Sequence, residues 1–401
     1  MDGNFATCDV CIIGGSIAGN YLCYLLSKTN LKIIVVEEHA EIGLPFQCAG
    51  IVSQKLSTII DLPRELILNR VSTAKIISPT GEFIKLFGSE KPYVINRIAL
   101  DCLFYEKVKD LNNVNYYLKE RFKSFKYLEE NGKKSLSIKT SKRKIKAKIL
   151  IGCDGPLSTV GKAFGVINKI LYASQIRIKN GFDQSEAAMY FNPRWKELFG
   201  WIVPEGNKIF RIGLASSRNI NANFKLFTKL LNIDMNHIID KQGGLIPLGI
   251  MNKIAFNNAL LLGDSACQVK ATTGGGIILL LMSSKYAANC IIKCFRNNNF
   301  SKKFIKKYYG KPCTSIIGKQ LKIHYIVRNV LEKLSKKDFH DLFKIIKTTK
   351  IEHLISFYGD MDFPKALIIK LLRNPLVFSF LLKFMFKNPF ILIKLLKILI
   401  K

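Results

Sequence analysis

Asp264 ends an apolar run, Leu261-Leu262-Gly263, and three consecutive glycines, Gly274, Gly275 and Gly276, stand between it and a second apolar segment that begins at Ile277. A buried strand that hands an Asp to a loop suits a polyol, because the carboxylate accepts a hydroxyl hydrogen bond. Glycines ahead of a helix let backbone N–H groups approach a phosphate or a flat ring at the positive helix end. A second glycine motif opens the chain. Val10–Ile13 reads as a buried strand, and Gly14-Gly15-Ser16-Ile17-Ala18-Gly19 follows as a tight turn into a helix over Asn20–Lys28. A further strand, Leu31–Val36, ends at Glu37. This strand–turn–helix–strand context, with an acid about 20 residues past the glycines, is a dinucleotide fingerprint: the turn takes the pyrophosphate and the acid a ribose 2′-hydroxyl. Ser16 stands where the middle glycine is usual, and its small size still admits a phosphate.

The elements that must hold these residues are interleaved along the chain. Val71–Lys91 reads as a hairpin turning at Ser78-Pro79-Thr80-Gly81, and Asn96–Asp110 as a helix with Arg97 and Asp101 in its first turns. Strands are expected over Val114–Leu118, Phe122–Leu128, Ser135–Thr140 and Ile145–Ile151, the last running into an Asp154-Gly155 turn. Residues 166–253 alternate like strands of a second sheet, residues 254–295 return to the nucleotide-binding pattern, and residues 296–401 are helical and basic. The expected organisation is an α/β protein with a discontinuous nucleotide-binding domain (1–165 and 254–295). A sheet lobe (166–253, joined by the 71–91 hairpin) and a helical C-terminal region complete it.

Composition narrows the function classes. The 401 residues are 48% hydrophobic, enough for a large core, and 62 basic against 29 acidic residues give a formal charge of +33. Such charge favours an anionic membrane surface or an acidic protein partner. Nucleic acid is not expected, because the basic residues are dispersed and no recognition motif is present. No metal site is expected either: the ten cysteines have no zinc-like spacing, and Cys8 and Cys11 fall inside a strand. No secretory signal is read, so a reducing cytoplasmic compartment is expected. At the C-terminus Lys394, Lys397 and Lys401 recur at helical spacing among Leu and Ile. That helix either lies in a membrane interface or packs its apolar face on the protein.

These residues also resemble a known family. The Gly14–Gly19 turn, Asp154-Gly155 and Gly263-Asp264 together look like the glutathione-reductase-like FAD-binding fold in its p-hydroxybenzoate-hydroxylase branch. Further stretches narrow the likeness: Glu41–Gly50, Tyr93–Arg97, Ile151–Ser158, Gly200–Pro204, Gly243–Gly249 and Gly263–Gly276. Through them the chain resembles the archaeal geranylgeranyl reductase family, in particular its members acting on digeranylgeranyl glycerophospholipids.

The resemblance implies an enzyme with FAD as cofactor. Gly14, Gly15, Ser16 and Gly19 would lie under the pyrophosphate and Glu37 at the adenosine ribose. Phe122 would line the adenine side through its backbone, Arg97 and Asp264 would serve the phosphate and ribityl regions, and Asp154 would also belong to the cofactor site. Cys48 and Ala49 would lie by the flavin, with Gly274, Gly275, Gly276 and Ile277 presenting backbone to its ring. Cys48 is also the one candidate catalytic side chain. Trp201 and Pro204 would face a prenyl substrate, and Val203 departs from the family's aromatic-rich segment. The implied reaction saturates double bonds of geranylgeranyl chains in archaeal-type membrane lipids or their precursors, at the inner face of the cell membrane. Electrons would come from NAD(P)H or from an acidic carrier such as ferredoxin. An FAD-dependent monooxygenase on the same fold, or a non-catalytic flavoprotein that binds membranes, would use the same glycine motifs.

Overall fold

The computed structural model describes residues 5–88, 90–130, 132–251, 253–391 and 393. The C-terminal lysines 394, 397 and 401, and with them the spacing argument for the last helix, lie outside the described residues.

Five parallel strands form the centre of an eight-stranded sheet, in the order Ala259–Leu261, Lys144–Gly152, Ala6–Ile13, Ile33–Val36 and Val114–Tyr117. Their inner residues are almost all apolar, as burial on both faces requires. The hairpin Phe122–Glu130 and Lys133–Thr140 adds to this sheet antiparallel, as does Ala255–Phe256. Register decides where the loops emerge. Ile13 pairs with both Gly152 and Val36, Gly152 with Leu261, and Val36 with Tyr117. The strands therefore end level, and the segments starting at Gly14, Glu37, Cys153 and Leu262 leave from one carboxyl edge, where open α/β sheets bind ligands. Two helices start from the loops at this edge, Ile17–Ser27 and the 20-residue Ile277–Arg296, and they pack on each other. The second is long and apolar enough to cross a membrane, but about two thirds of it is buried in the protein core.

The second sheet has seven strands, in the order Ile238–Leu248, Lys169–Lys179, Ile209–Ser216, Gly200–Gly206, Glu186–Tyr190, Thr73–Ile77 and Phe83–Phe87. The hairpin expected around Ser78–Gly81 supplies its last two strands. The sheet is antiparallel except where Glu186–Tyr190 runs parallel to Thr73–Ile77, because that hairpin enters from a distant part of the chain. Two features differ from the sequence expectation. Ile220–Leu230 is a helix inside the sheet region; its Phe227 packs where a side chain on Gly200 would fall, at 2.6 Å. A small sheet of Ile51–Val52, Tyr93–Ile95 and Ile67–Arg70 joins the two large ones; strands this short carry no readable alternation.

Beyond residue 300 the helices Lys319–Leu331, Lys336–Thr348, Ile351–Tyr358, Lys365–Leu372 and Pro375–Lys387 follow one another. Ser335 and Asp338 form a capping box at the start of the second of these. Phe339, Phe343, Phe384 and Ile391 bury against Ile84 of the sheet hairpin. The C-terminal region therefore closes over the sheet lobe rather than standing apart from it.

Candidate functional site

The first glycine turn is built by close approach. Gly14 has φ +106°, and a methyl there would meet the Cys153 carbonyl oxygen at 2.3 Å. A methyl on Gly19 would lie 1.9 Å from the Gly14 carbonyl oxygen. Glu37 is buried and accepts the Gly15 N–H at 2.6 Å through Oε2, while Oε1 accepts the His39 N–H at 2.9 Å. Glu38 points away and pairs with Arg121 at 2.6 Å, so Glu37 is the acid at the turn. Phe122 puts its ring in the core; its segment runs beside this acid, with the Glu120 N–H donating to the Glu37 carbonyl at 2.9 Å. The Asp154 carboxylate accepts from Ser158 Oγ at 2.5 Å and from the Val160 N–H at 2.9 Å. It thus holds its own turn behind Gly14 and does not line the cavity described next.

A cavity of about 460 Å³ lies between the two sheets and the C-terminal helices. Cys48, Ala49, Arg97, Asp264 and Gly274–Ile277 line one side, Trp201 and Val203 another. The side-chain period of a strand explains one correction. Trp201 and Val203 share the cavity face, so Ile202 and Pro204 face the other way. Pro204 does not line the cavity; its carbonyl accepts from Asn69 at 3.1 Å. Trp201 is held by its Nε1–H to Gln175 Oε1 at 2.7 Å, and Gln175 Nε2 donates to the Cys48 carbonyl at 3.2 Å. Gln175 therefore joins the aromatic wall to the Cys48 loop, a link that no local sequence signal announced. Arg211, 2% exposed, clamps the same loop by donating to the Ala49 carbonyl at 2.9 Å and to Glu205 at 2.8 Å.

Asp101 couples the cavity to the first turn. Arg97 Nη2 donates to both Asp101 oxygens at 3.0 Å, and Ser16 Oγ donates to Asp101 Oδ2 at 3.0 Å. Burial disfavours the Arg97 charge, but Asp101 and then Cys48 more than offset it, so its pKa lies above the ordinary arginine value. Burial pushes Asp264 up to about 6, against the pull of Arg97.

The residues fit a dinucleotide on three observations. Ser16 and Gly276 give no side-chain cap to their helices, so both N-termini are open to an anion. Arg97 Nε is buried without a partner. The glycines of the first turn leave room only for backbone. Sequence reasoning missed a second cluster on the cavity wall: Lys270 Nζ donates to Asp362 Oδ1 at 2.7 Å, and His324 bonds both Thr272 at 2.6 Å and the Asp362 carbonyl at 3.2 Å. The one signal for it was a lysine between Val269 and Ala271, just ahead of the three glycines; nothing marked Asp362.

No protein-family model matches the chain. It is 29% identical over 387 residues to an uncharacterised protein of Methanocaldococcus jannaschii, covering 91% of this chain and 95% of that one. It is 28% identical over 383 residues to digeranylgeranylglycerophospholipid reductase 1 of Methanococcoides burtonii, covering 90% of each. Among solved structures, a geranylgeranyl bacteriochlorophyll reductase-like protein of Thermoplasma acidophilum superposes with a TM-score of 0.80 at 22% identity, over 95% of this chain and all of that one. A halogenase in complex with FAD superposes at 0.62 with 13% identity, over 91% and 86%. Over nine-tenths of its length the chain is similar in sequence to archaeal proteins named digeranylgeranylglycerophospholipid reductase, and it shares its fold with the geranylgeranyl bacteriochlorophyll reductase-like protein.

Proposed function

We propose that the protein is an FAD-dependent reductase that saturates carbon–carbon double bonds of geranylgeranyl chains in archaeal-type membrane lipids or their precursors. The observation that carries this reading is the cavity, which is largely apolar and lined by both the Gly274–Gly276 helix start and the Trp201 wall. A long apolar chain needs such a wall, and a flavin ring needs such a helix start. The names of the relatives support the lipid class.

FAD, when bound, would supply hydride-transfer chemistry for a double bond that no carbonyl activates. The Gly14–Gly19 turn would take the pyrophosphate, Glu37 the adenosine ribose, and Arg97 and Asp264 the phosphate and ribityl parts. Trp201, fixed by Gln175, would orient the prenyl chain and exclude water. Cys48 sits where the Arg97 charge and the Gly50 N–H, 3.3 Å from its sulfur, would hold the loop against the ring.

The exposed Phe386 and Phe390 (84% and 85%), flanked by Lys383 and Lys387, support contact with an anionic membrane surface. The +33 charge supports steering of an acidic electron carrier over NAD(P)H.

The test is anaerobic. The purified protein is reduced with dithionite and mixed with digeranylgeranylglyceryl phospholipid. Reoxidation of a flavin spectrum with a gain of two hydrogens per double bond is expected. A reduced flavin that ignores the lipid and reacts rapidly with oxygen would make the protein a monooxygenase instead.

A further inference from the structure

Lys270 is a buried cation on the wall of the cavity, 7% exposed at its side chain, and its partner Asp362 is 1% exposed. Burying two charges is expensive, and an ion pair of this kind contributes little to stability over an apolar pair of the same shape. Its place is therefore informative.

The lysine backbone is stapled to the glycine loop. Its N–H donates to the Gly275 carbonyl at 2.9 Å, and its carbonyl accepts from the Gly274 N–H at 2.8 Å. The ammonium folds back over the same loop: a methyl on Gly275 would lie 3.4 Å from Nζ. Asp362 comes from the far C-terminal region. The Asp360 carboxylate accepts its N–H at 2.9 Å, and the His324 Nε2–H donates to its carbonyl at 3.2 Å. Asp360 also pairs with Lys55. Three distant segments thus hold one positive charge against the glycines. Asp362 Oδ2 is buried and without a partner, an acceptor left open on the wall of the cavity.

We propose that Lys270, locked by Asp362, is the fixed positive charge that favours the reduced state of a flavin bound over the glycine loop, an inference that rests on the flavin reading above. Lys270 does this because added electrons put negative charge on a ring at that loop, and a preorganised cation in a dry site lowers its energy without reorganising. Asp362 opposes part of that effect while fixing the lysine in place. The two residues therefore act with opposite sign on the reduction potential. A pair that merely tied the C-terminal region to the loop would have no such signature.

The experiment measures the flavin midpoint potential of the full-length protein by stepwise anaerobic dithionite reduction against a reference dye, with melting temperature in parallel. K270Q is expected to lose at least tenfold in preference for the reduced flavin, a fall of about 30 mV for a two-electron couple. K270R keeps the charge and should stay within about threefold of the wild type, about 15 mV by the same relation. D362N removes the opposing charge and should move the potential upward. An unchanged potential in K270Q, or shifts of the same sign in K270Q and D362N, would overturn the proposal even if both proteins melt earlier. If K270Q does not fold, D362N decides alone, and an upward shift is required. A wild-type protein that binds no flavin would instead defeat the flavin reading, and this inference with it.

Discussion

The Gly15 amide donates to Glu37 Oε2 at 2.6 Å, so the acid that ends the second strand closes the glycine turn that begins after the first. This relationship makes Glu37 structural before any ligand arrives. A charge-assisted hydrogen bond of this kind contributes about 1.5–3 kcal/mol. Glu37→Ala should therefore weaken flavin retention by about 10- to 100-fold and lower the melting temperature. Glu38→Ala, which breaks only the exposed pair with Arg121, should do neither. Flavin-to-protein ratios after gel filtration check both.

Glycine substitutions should separate space from strain. Gly14→Ala and Gly19→Ala place a methyl 2.3 Å and 1.9 Å from carbonyl oxygens, and neither variant should yield folded flavoprotein. Gly155 also has a positive φ, +73°, but an added methyl there meets nothing within 4 Å. Gly155→Ala should cost only the left-handed backbone penalty, about 1–2 kcal/mol, and keep its flavin. Damage from Gly155→Ala equal to that from Gly14→Ala would mean that the positive φ, and not close approach, governs Gly14.

The buried ionisable groups predict opposing pH slopes for the flavin-free protein. Burial raises Asp264 from 3.8 to about 6, so the folded state holds its proton longer than the unfolded chain. Its contribution to stability falls as pH rises from about 4 to about 6, and is flat above. Burial, and then the Lys270 charge, depress His324 from 6.5 to about 4. The unfolded chain takes up that proton first, so stability present above pH 6.5 is lost as pH falls toward 4. Asp264→Asn should gain stability over the wild type at pH 7, match it at pH 4, and fail to retain flavin. His324→Gln should flatten the acid-side loss. Urea unfolding between pH 4 and 7 measures both, and an Asp264→Asn protein that purifies fully yellow would count against the ribityl role of Asp264.

Trp201 offers a test of the substrate wall. Trp201→Phe removes the Nε1–H and leaves the Gln175 oxygen without that donor, a loss of about 1–3 kcal/mol in stability. Flavin content should stay unchanged, while the lipid concentration needed for half-maximal reoxidation rises. Pro204→Ala, on the opposite strand face, should leave that concentration unaltered.

The C-terminal segment serves two faces at once. Val377, Phe384 and Ile391 are buried, whereas Phe386 and Phe390 are exposed. Phe386→Ser with Phe390→Ser should reduce sedimentation with anionic liposomes and leave the melting temperature within about 0.5 kcal/mol-equivalent of the wild type. Deleting residues 374–401 should release the protein too, but at the expense of the core around Phe339. Liposome binding unaltered by the double substitution would sink the membrane-surface reading.

The local rules of the chain determined the elements that carry the cofactor motifs. Apolar runs ending at Gly14, Glu37, Asp154 and Asp264 are strands because burial on both sheet faces demands such runs. Gly14 and Gly19 mark a turn for which close packing leaves no alternative. The same local rules missed the helix Ile220–Leu230 and the two- to four-residue strands near Ile51 and Tyr93, where too few residues alternate to set a period. The family resemblance put Pro204 at the substrate, although strand register turns it away and leaves Val203 on the cavity wall. Only the tertiary structure decided what meets across the cavity. Lys270 and Asp362 are 92 residues apart, Gln175 and Cys48 are 127 apart, and Arg211 reaches Ala49 across 162. Such contacts depend on how sheets and helices dock, a property of the summed core packing that no window of neighbouring residues contains.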